Sequence, residues 1–284
     1  MIETRAIVVE DRREVRDYWR LRLRVNHFQP ERTIQALQLI PKPGQFAMLR
    51  PSEQLEPLLR RALVYYRVES SEEATDFEFI YKVLGRGTLR LSMLHRDDEV
   101  DLLGPLGNGF TIDPNLPSGS EVAFISGGVG IPAFYTLAQE LKSRRINPKL
   151  FHGEVTGDVE KGLVGVSDFV DLLGDDHVRC ATDDGSVGVK GFVTTAFERY
   201  LKSGGATPRV IYSCGPEPML KRVSELGKEL EVPTQLSLEA NMGCGFGVCL
   251  GCAVKVNTAS QRGFSFQRVC MEGPVFRGED VIWE

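Results

Sequence analysis

The stretch NMGCGFGVCLGCAVKV, Asn241 to Val256, sets Cys244, Cys249 and Cys252 in a Cys-x4-Cys-x2-Cys spacing, and Cys270 follows after seventeen further residues. Three of the six cysteines thus fall within nine residues. Such clustering sets aside the reading of unrelated free thiols. A structural zinc ion suits four thiolates, but zinc ribbons usually bring two Cys-x2–4-Cys pairs, and the second pair is missing. A [2Fe–2S] cluster of the plant-ferredoxin kind takes this spacing with a distant fourth ligand. Gly243, Gly245, Gly247 and Gly251 strip side chains from the loop, so backbone can wrap closely and aim N–H groups at sulfur. The spacing and the glycines favour the iron–sulfur reading. No Cys-x-His pair is present, which excludes a Rieske centre. Cys180 and Cys214 lie far from the loop in sequence.

With 284 residues the chain has room for two domains and a small third. Apolar content of 42% and charged content of 26% suit a globular fold with a proper core. A net charge of −5 argues against nucleic acid as a partner, because phosphate binding wants a basic surface. The N-terminus is charged almost from its start and has no signal-peptide character. The most apolar stretch, VAFISGGVGIPAFYTLA, is broken by glycines and a proline, so no membrane span is expected. The expectation is a cytoplasmic protein, where clustered cysteines point to metal or catalysis rather than disulfides.

The chain changes rhythm near residue 116. Before it, YWRLRLRV alternates strictly, with Trp19, Leu21, Leu23 and Val25 facing a core and Arg20, Arg22 and Arg24 facing out. GQFAMLRP, RRALVYYRVE, DFEFIYKVL and DEVDLLGP follow as strands, with TLRLSML helical between them. Short strands at this spacing predict an antiparallel barrel. After the DPNLPSG linker, strand and helix alternate through EVAFIS, IPAFYTLAQEL, PKLFHGE, SDFVDLL, VRCATDDG, GFVTTAFERYL, RVIYSCG and EPMLKRVSELGKEL. That order predicts a doubly wound parallel sheet. The expected fold class is therefore multi-domain β plus α/β. Its units are an antiparallel barrel over residues 1–116, a doubly wound parallel-sheet domain over 117–233, and a small cysteine-bearing domain over 234–284.

The second unit carries a dinucleotide pattern. Gly127 precedes Gly128-x-Gly130-x-x-Ala133, a glycine turn between strand and helix that lets a pyrophosphate approach backbone N–H groups. Glu154 ends the next strand, 24 positions after Gly130, where an acid can accept from a ribose hydroxyl and disfavour a 2′-phosphate. Cys214, Gly215 and Pro216 close another strand and are candidate walls of a nicotinamide pocket. NAD(H) is the expected dinucleotide. Hydride cannot enter a one-electron cluster directly, so a flavin is expected between them. Arg60 and Arg61 open a strand where a guanidinium can bind flavin phosphate, and Gly85, Gly87 and Thr88 form a turn suited to a pyrophosphate. A zinc-stabilised nucleotide-sensing module without redox chemistry remains the alternative from residues alone.

Taken together, PGQF, LLRRALV, IYKVLGRGT, GPLGNGF, SGGVGIP, TDDGSVGVKGFVT, CGPEPML, MGCGFGVCLGC and VCMEGPVF resemble the electron-transfer subunits of class 1B dihydroorotate dehydrogenases, in the ferredoxin–NADP reductase-like group. The resemblance implies FAD on the barrel, lined by Arg61, Ala62, Leu63, Val64, Ile80, Tyr81, Lys82, Gly87 and Thr88. It implies NAD(H) on the second unit and [2Fe–2S] on Cys244, Cys249, Cys252 and Cys270. It also implies a catalytic partner chain carrying FMN, in a heterotetramer, that oxidises dihydroorotate to orotate in pyrimidine synthesis. Sulfhydrogenase and ferredoxin–NADP transhydrogenase subunits share the layout and are the alternative. One departure stands out: the family usually reads Arg-Pro-x-Ser at the flavin strand, and this chain reads Arg61-Ala62-Leu63-Val64, without the hydroxyl and the proline.

Overall fold

The computed structural model describes residues 1–27, 39–50, 58–259 and 262–283. Strands β1 (Ile2–Val15) and β2 (Tyr18–Asn26) form a long antiparallel hairpin turning at Arg16 and Asp17. They are joined by β3 (Phe46–Arg50), β4 (Arg61–Val64), β5 (Arg67–Ser70), β6 (Ala74–Lys82) and β7 (Glu99–Leu106). The order is β4-β3-β7-β1-β2-β6-β5, and every pairing is antiparallel. Leu21, Leu23, Phe77, Phe79, Tyr81, Leu49 and Leu102 fill the concave side of this half-barrel. Period-2 alternation puts them there: Leu21 stands opposite Phe79 and Leu23 opposite Phe77. RRALVYYRVE proves to be two strands, β4 and β5, parted at Tyr65 and Tyr66, whose buried rings turn the chain. A short helix, α1 (Arg86–Leu91), crosses between β6 and β7.

The second sheet runs β11 (Val189–Lys190), β10 (Val178–Thr182), β9 (Asn147–Glu154), β8 (Glu121–Gly127), β12 (Ile211–Cys214), β13 (Thr234–Ser237) and β16 (Val275–Arg277). All pairings are parallel except β13 with β16. Helices α2 (Tyr135–Ser143) and α3 (Val166–Leu173) pack on one face through Leu137, Leu141 and Phe169. Helices α4 (Val193–Lys202) and α5 (Glu217–Glu229) cover the other through Phe197, Leu220, Val223 and Leu226. The chain winds outward from β8 in both directions, so the switch point lies between β8 and β12, the place where open α/β sheets bind ligands. The sheet continues past residue 233 through β13 and closes on β16, from the far end of the chain.

Between β13 and β16 stand the cysteine loop and a hairpin, β14 (Ala253–Asn257) with β15 (Phe264–Arg268). Cys252, Val256, Val269 and Cys270 are buried in the same apolar cluster as Phe46, Met48 and Leu106 of the half-barrel. The cysteine segment therefore rests on the barrel and on the parallel sheet together.

Candidate functional site: two cofactor faces and a thiol loop

The thiol loop is shaped by left-handed glycines. Gly245 (φ +81°) and Gly247 (φ +88°) adopt a backbone that side chains disfavour. Arg268 pins the loop, donating from Nη1 to the Gly247 carbonyl at 3.0 Å while paired with Glu272. Among the described residues, no three His, Cys, Asp or Glu side chains gather about one point. The thiols stand instead as two pairs. The Cys252 and Cys270 Sγ atoms are 3.3 Å apart, well beyond a disulfide bond. The backbone N–H of Cys249 donates to Cys244 Sγ at 3.5 Å, and the Cys249 side chain also hydrogen-bonds to that sulfur. Two pairs fit two irons, each taking two thiolates, better than one tetrahedral ion taking four. Burial raises the Cys244 thiol, but N–H groups of Cys249 and Phe246 aimed at the sulfur outweigh it and hold it at about 6. Cys270 is pushed up to about 12, by burial first and then by Cys252. Its proton is held until a cation replaces it, which is how thiolate metal sites couple loading to proton release.

The expected flavin strand splits by the pleat. Leu63 and Tyr81 face the barrel core, the latter donating to Asp11, and offer only backbone to the outside. Val64, Ile80 and Lys82 take the opposite phase, with Ile80 buried against the second sheet, while Ala62 is exposed and Arg61 is half-buried at the strand's start. Arg61 lies across the start of α1, where its guanidinium occupies the space a Cβ on Gly87 would take. Its Nη1 donates to the carbonyls of Leu59 and Arg60. The Thr88 hydroxyl caps the turn, accepting from Leu84 N at 3.0 Å and Gly85 N at 3.2 Å. A guanidinium over a side-chain-free turn is an arrangement that could hold a pyrophosphate. Val64, at the position of the missing hydroxyl, packs against both the cluster-side core and the core of the second sheet.

At the switch point, Gly127 leads into a 3-10 turn, Gly128–Phe134, and the α-helix that the IPAFYTLAQEL pattern places from Ile131 begins only at Tyr135. Gly128 is left-handed (φ +53°), and a Cβ on Gly130 would overlap the Cys214 carbonyl. Gly215 in turn leaves 2.9 Å between its own Cβ position and Gly127 N. The two glycine turns thus pack backbone to backbone, with Pro216 capping α5. Cys214 is 4% exposed, and burial, then Glu239, pushes its thiol up to about 12, so it acts as an apolar wall and not as a nucleophile. Glu154 ends β9 as expected, but its Oε2 accepts from Tyr18 of the half-barrel at 2.9 Å.

Sequence reasoning missed the contacts that join the two sheets. Arg20, expected in solvent, has a side chain 7% exposed and pairs with Glu14 at 2.5 Å, Asp168 at 2.6 Å and Glu78. Tyr66 and Arg67 also reach Asp168, at 2.7 Å each. Only a long-range pairing could have revealed this, because α3 lies about 150 positions along the chain from β2. No helix among the described residues is long and apolar enough to cross a membrane.

Comparison with known proteins decides the family. Residues 239–282 match the iron–sulfur cluster binding domain of dihydroorotate dehydrogenase B. The chain is 37% identical over 242 residues to the dihydroorotate dehydrogenase B (NAD+) electron transfer subunit of Desulforamulus reducens, spanning 85% of this chain and 87% of that one. It belongs to the dihydroorotate dehydrogenase B electron-transfer-subunit family. The subunit of Geobacillus thermodenitrificans is 36% identical over 241 residues, with the same coverage of 85% and 87%. Among solved structures, an NADH-dependent reduced ferredoxin–NADP oxidoreductase, studied for flavin-based electron bifurcation, superposes with a TM-score of 0.77. It is 28% identical and covers 98% of this chain and 90% of that one. The ferredoxin–NADP+ reductase of Neisseria gonorrhoeae, solved with FAD and NADP, shares the fold at a TM-score of 0.61, with 15% identity over 80% of this chain and 91% of that one. The family member described here thus has a ferredoxin-reductase-like body with an iron–sulfur domain at its end.

Proposed function

We propose that this chain is the electron-transfer subunit that passes electrons between an FMN-containing dihydroorotate dehydrogenase subunit and NAD+, through [2Fe–2S] and FAD, in pyrimidine biosynthesis. The observation that carries this is the seating of the thiol loop. A Cβ on Gly245 would lie 2.8 Å from Met48 Sδ, so the loop sits directly on β3, the neighbour of the flavin strand β4. Cys252 and Cys270 share one apolar core with Met48, and Val64 packs against it.

Cys244 and Cys249 would hold one iron and Cys252 and Cys270 the other. Arg61, Gly87 and the backbone of Ala62–Val64 and Ile80–Lys82 hold FAD, with Thr88 shaping the turn. Gly127, Gly128, Gly130, Gly215 and Pro216 hold NAD(H) against the wall made by Cys214. FAD held by these residues would supply two-electron acceptance of a hydride and one-electron release, as a one-electron cluster requires. Phe246, Val248, Leu250 and Met271 are all exposed around the thiol loop. Apolar side chains rimming a redox centre suit a docked protein, and this face takes the FMN subunit. The assembly is a cytoplasmic heterotetramer. The 28% identity to the NADH-dependent ferredoxin–NADP oxidoreductase favours, as second reading, a subunit serving ferredoxin.

The test begins with the chain loaded with FAD, iron and sulfide. NADH should bleach the flavin and then the cluster absorbance. Cys249→Ser should keep the first and lose the second. Dihydroorotate should reduce NAD+ only after an FMN-containing dihydroorotate dehydrogenase subunit is added. A loaded chain that neither binds that subunit nor couples to it, but reduces ferredoxin, decides for the second reading.

A further inference from the structure

The half-barrel reaches into the dinucleotide face at Tyr18. This residue is 5% exposed, and its hydroxyl donates to Glu154 Oε2 at 2.9 Å. The same oxygen lies 3.4 Å from the place a Cβ on Gly128 would take. It therefore stands beside the glycine turn, where a phosphate seated on the backbone N–H groups would meet it. Burial first, and the Glu154 carboxylate next, raise the phenol far above its ordinary value, so it is a neutral donor at any working pH. The Lys82 ammonium, 5.2 Å from the ring centre, adds positive charge on the flavin side.

Glu154 has a second partner within reach. Its Oε1 is buried and makes no hydrogen bond, and neither does the buried Nε2 of His152, 3.6 Å away. His152 is wholly buried, and its Nδ1 is 2.8 Å from Ser126 Oγ, which fixes the ring. Two neighbouring buried polar atoms without partners are costly unless another state pairs them. A small rotation of the carboxylate toward His152 pairs both and frees Tyr18.

We propose that Tyr18 is a dinucleotide-binding residue contributed by the half-barrel: its hydroxyl passes from Glu154 to a pyrophosphate oxygen, and Glu154 turns to His152. The proposal rests on the dinucleotide reading of the glycine turn and changes the part Glu154 plays, from ribose acceptor to holder of the Tyr18 hydroxyl. It makes nucleotide binding a property of both sheets, since the donor and its resting partner come from different ones.

The experiment uses the FAD- and cluster-loaded chain, with ADP-ribose as a probe that has the pyrophosphate but no nicotinamide, and adenosine as control. Tyr18→Phe should weaken ADP-ribose binding about tenfold, the scale of a hydrogen bond to a charged group, with adenosine binding and flavin content unchanged. Glu154→Gln, a weaker acceptor that releases the hydroxyl more easily, should bind ADP-ribose at least as tightly as the native chain. Unchanged or tighter binding by Tyr18→Phe overturns the proposal. Weaker binding by Glu154→Gln also overturns it, because the carboxylate is then itself a ligand; this arm decides alone if Tyr18→Phe does not fold. A native chain that binds neither ADP-ribose nor NADH overturns the dinucleotide reading, and the proposal with it.

Discussion

Met48 on β3 fills the space beside Gly245 that any side chain there would need: a Cβ on Gly245 would overlap Met48 Cγ and come within 2.8 Å of Sδ. The contact joins the thiol loop to the half-barrel one residue from Cys244. Gly245 is also left-handed at φ +81°. Gly245→Ala therefore faces a backbone cost of about 1–2 kcal/mol and a clash as well. Iron and sulfide per chain should fall while FAD content holds. Adding Met48→Ala should restore part of the iron, because it removes the clash and leaves the backbone cost. If Gly245→Ala loads iron like the native chain, the loop is not seated on β3.

A different contact fixes the two sheets to each other. The buried Arg20 guanidinium answers Glu14, Glu78 and Asp168, and Glu14 Oε1 also accepts from Gly165 N at 3.2 Å. Removing it leaves three carboxylates without their shared cation. Arg20→Met should cost about 3–5 kcal/mol, the usual penalty for breaking a buried ion pair from one side. Arg24→Ala, which removes a half-exposed partner of Asp76, should cost under about 1 kcal/mol. Thermal unfolding of the two variants at equal cofactor loading measures the difference. Equal melting temperatures would show that the Arg20 cluster is solvated.

These contacts mark what the sequence could and could not convey. Local period and turn chemistry carried β2, β3, β6 to β10 and β12, helices α2 to α5 and the four clustered thiols, because each signal lies within a short window, while β4 and β5 read as one run. The pattern failed where the deciding partner was distant. Arg20 follows the outward phase of β2 but is covered by α3. β1 is long and rich in charge, and the sequence pattern names no strand there; its pairing with β2 and β7 makes it one. β16 is three residues that are strand only because β13 offers an edge. At the site, the glycine turns were legible as backbone requirements. The occupation of Glu154 by Tyr18 was not, since it joins residues 136 positions apart.

The Arg61–Gly87 cradle predicts a split between stability and cofactor affinity. A methyl on Gly87 would displace the Arg61 guanidinium, the far end of a flexible side chain, so the fold can adjust. Gly87 lies within α1, where alanine is favoured over glycine by about 1 kcal/mol. Gly87→Ala should thus leave the cofactor-free chain as stable or slightly more so. With Arg61 in its proposed part as a charged phosphate donor, it should weaken FAD binding about tenfold or more. Titration of flavin fluorescence beside thermal unfolding reads both. An unchanged FAD affinity would remove Arg61 from the cofactor face.

The pH dependence of stability should carry a signature of Asp11. Burial is the largest influence on its carboxyl; the Tyr81 hydroxyl, 3.1 Å away, partly opposes it, and the acid is raised from 3.8 to about 7. The native state therefore binds this proton more tightly than the unfolded chain, whose carboxyl titrates near its ordinary value. Well below about pH 4 both states are protonated and Asp11 carries no penalty, and near pH 4 the penalty is still small. As pH rises from there to about 7, the unfolded chain ionises first and the native state loses relative stability. Above that window the penalty is complete. Asp11→Asn removes the titration and keeps an acceptor for Tyr81. Its melting temperature should match the native chain's at pH 4 and exceed it at pH 8. A gap of the same size at both pH values would mean that Asp11 ionises in the fold as it does in water.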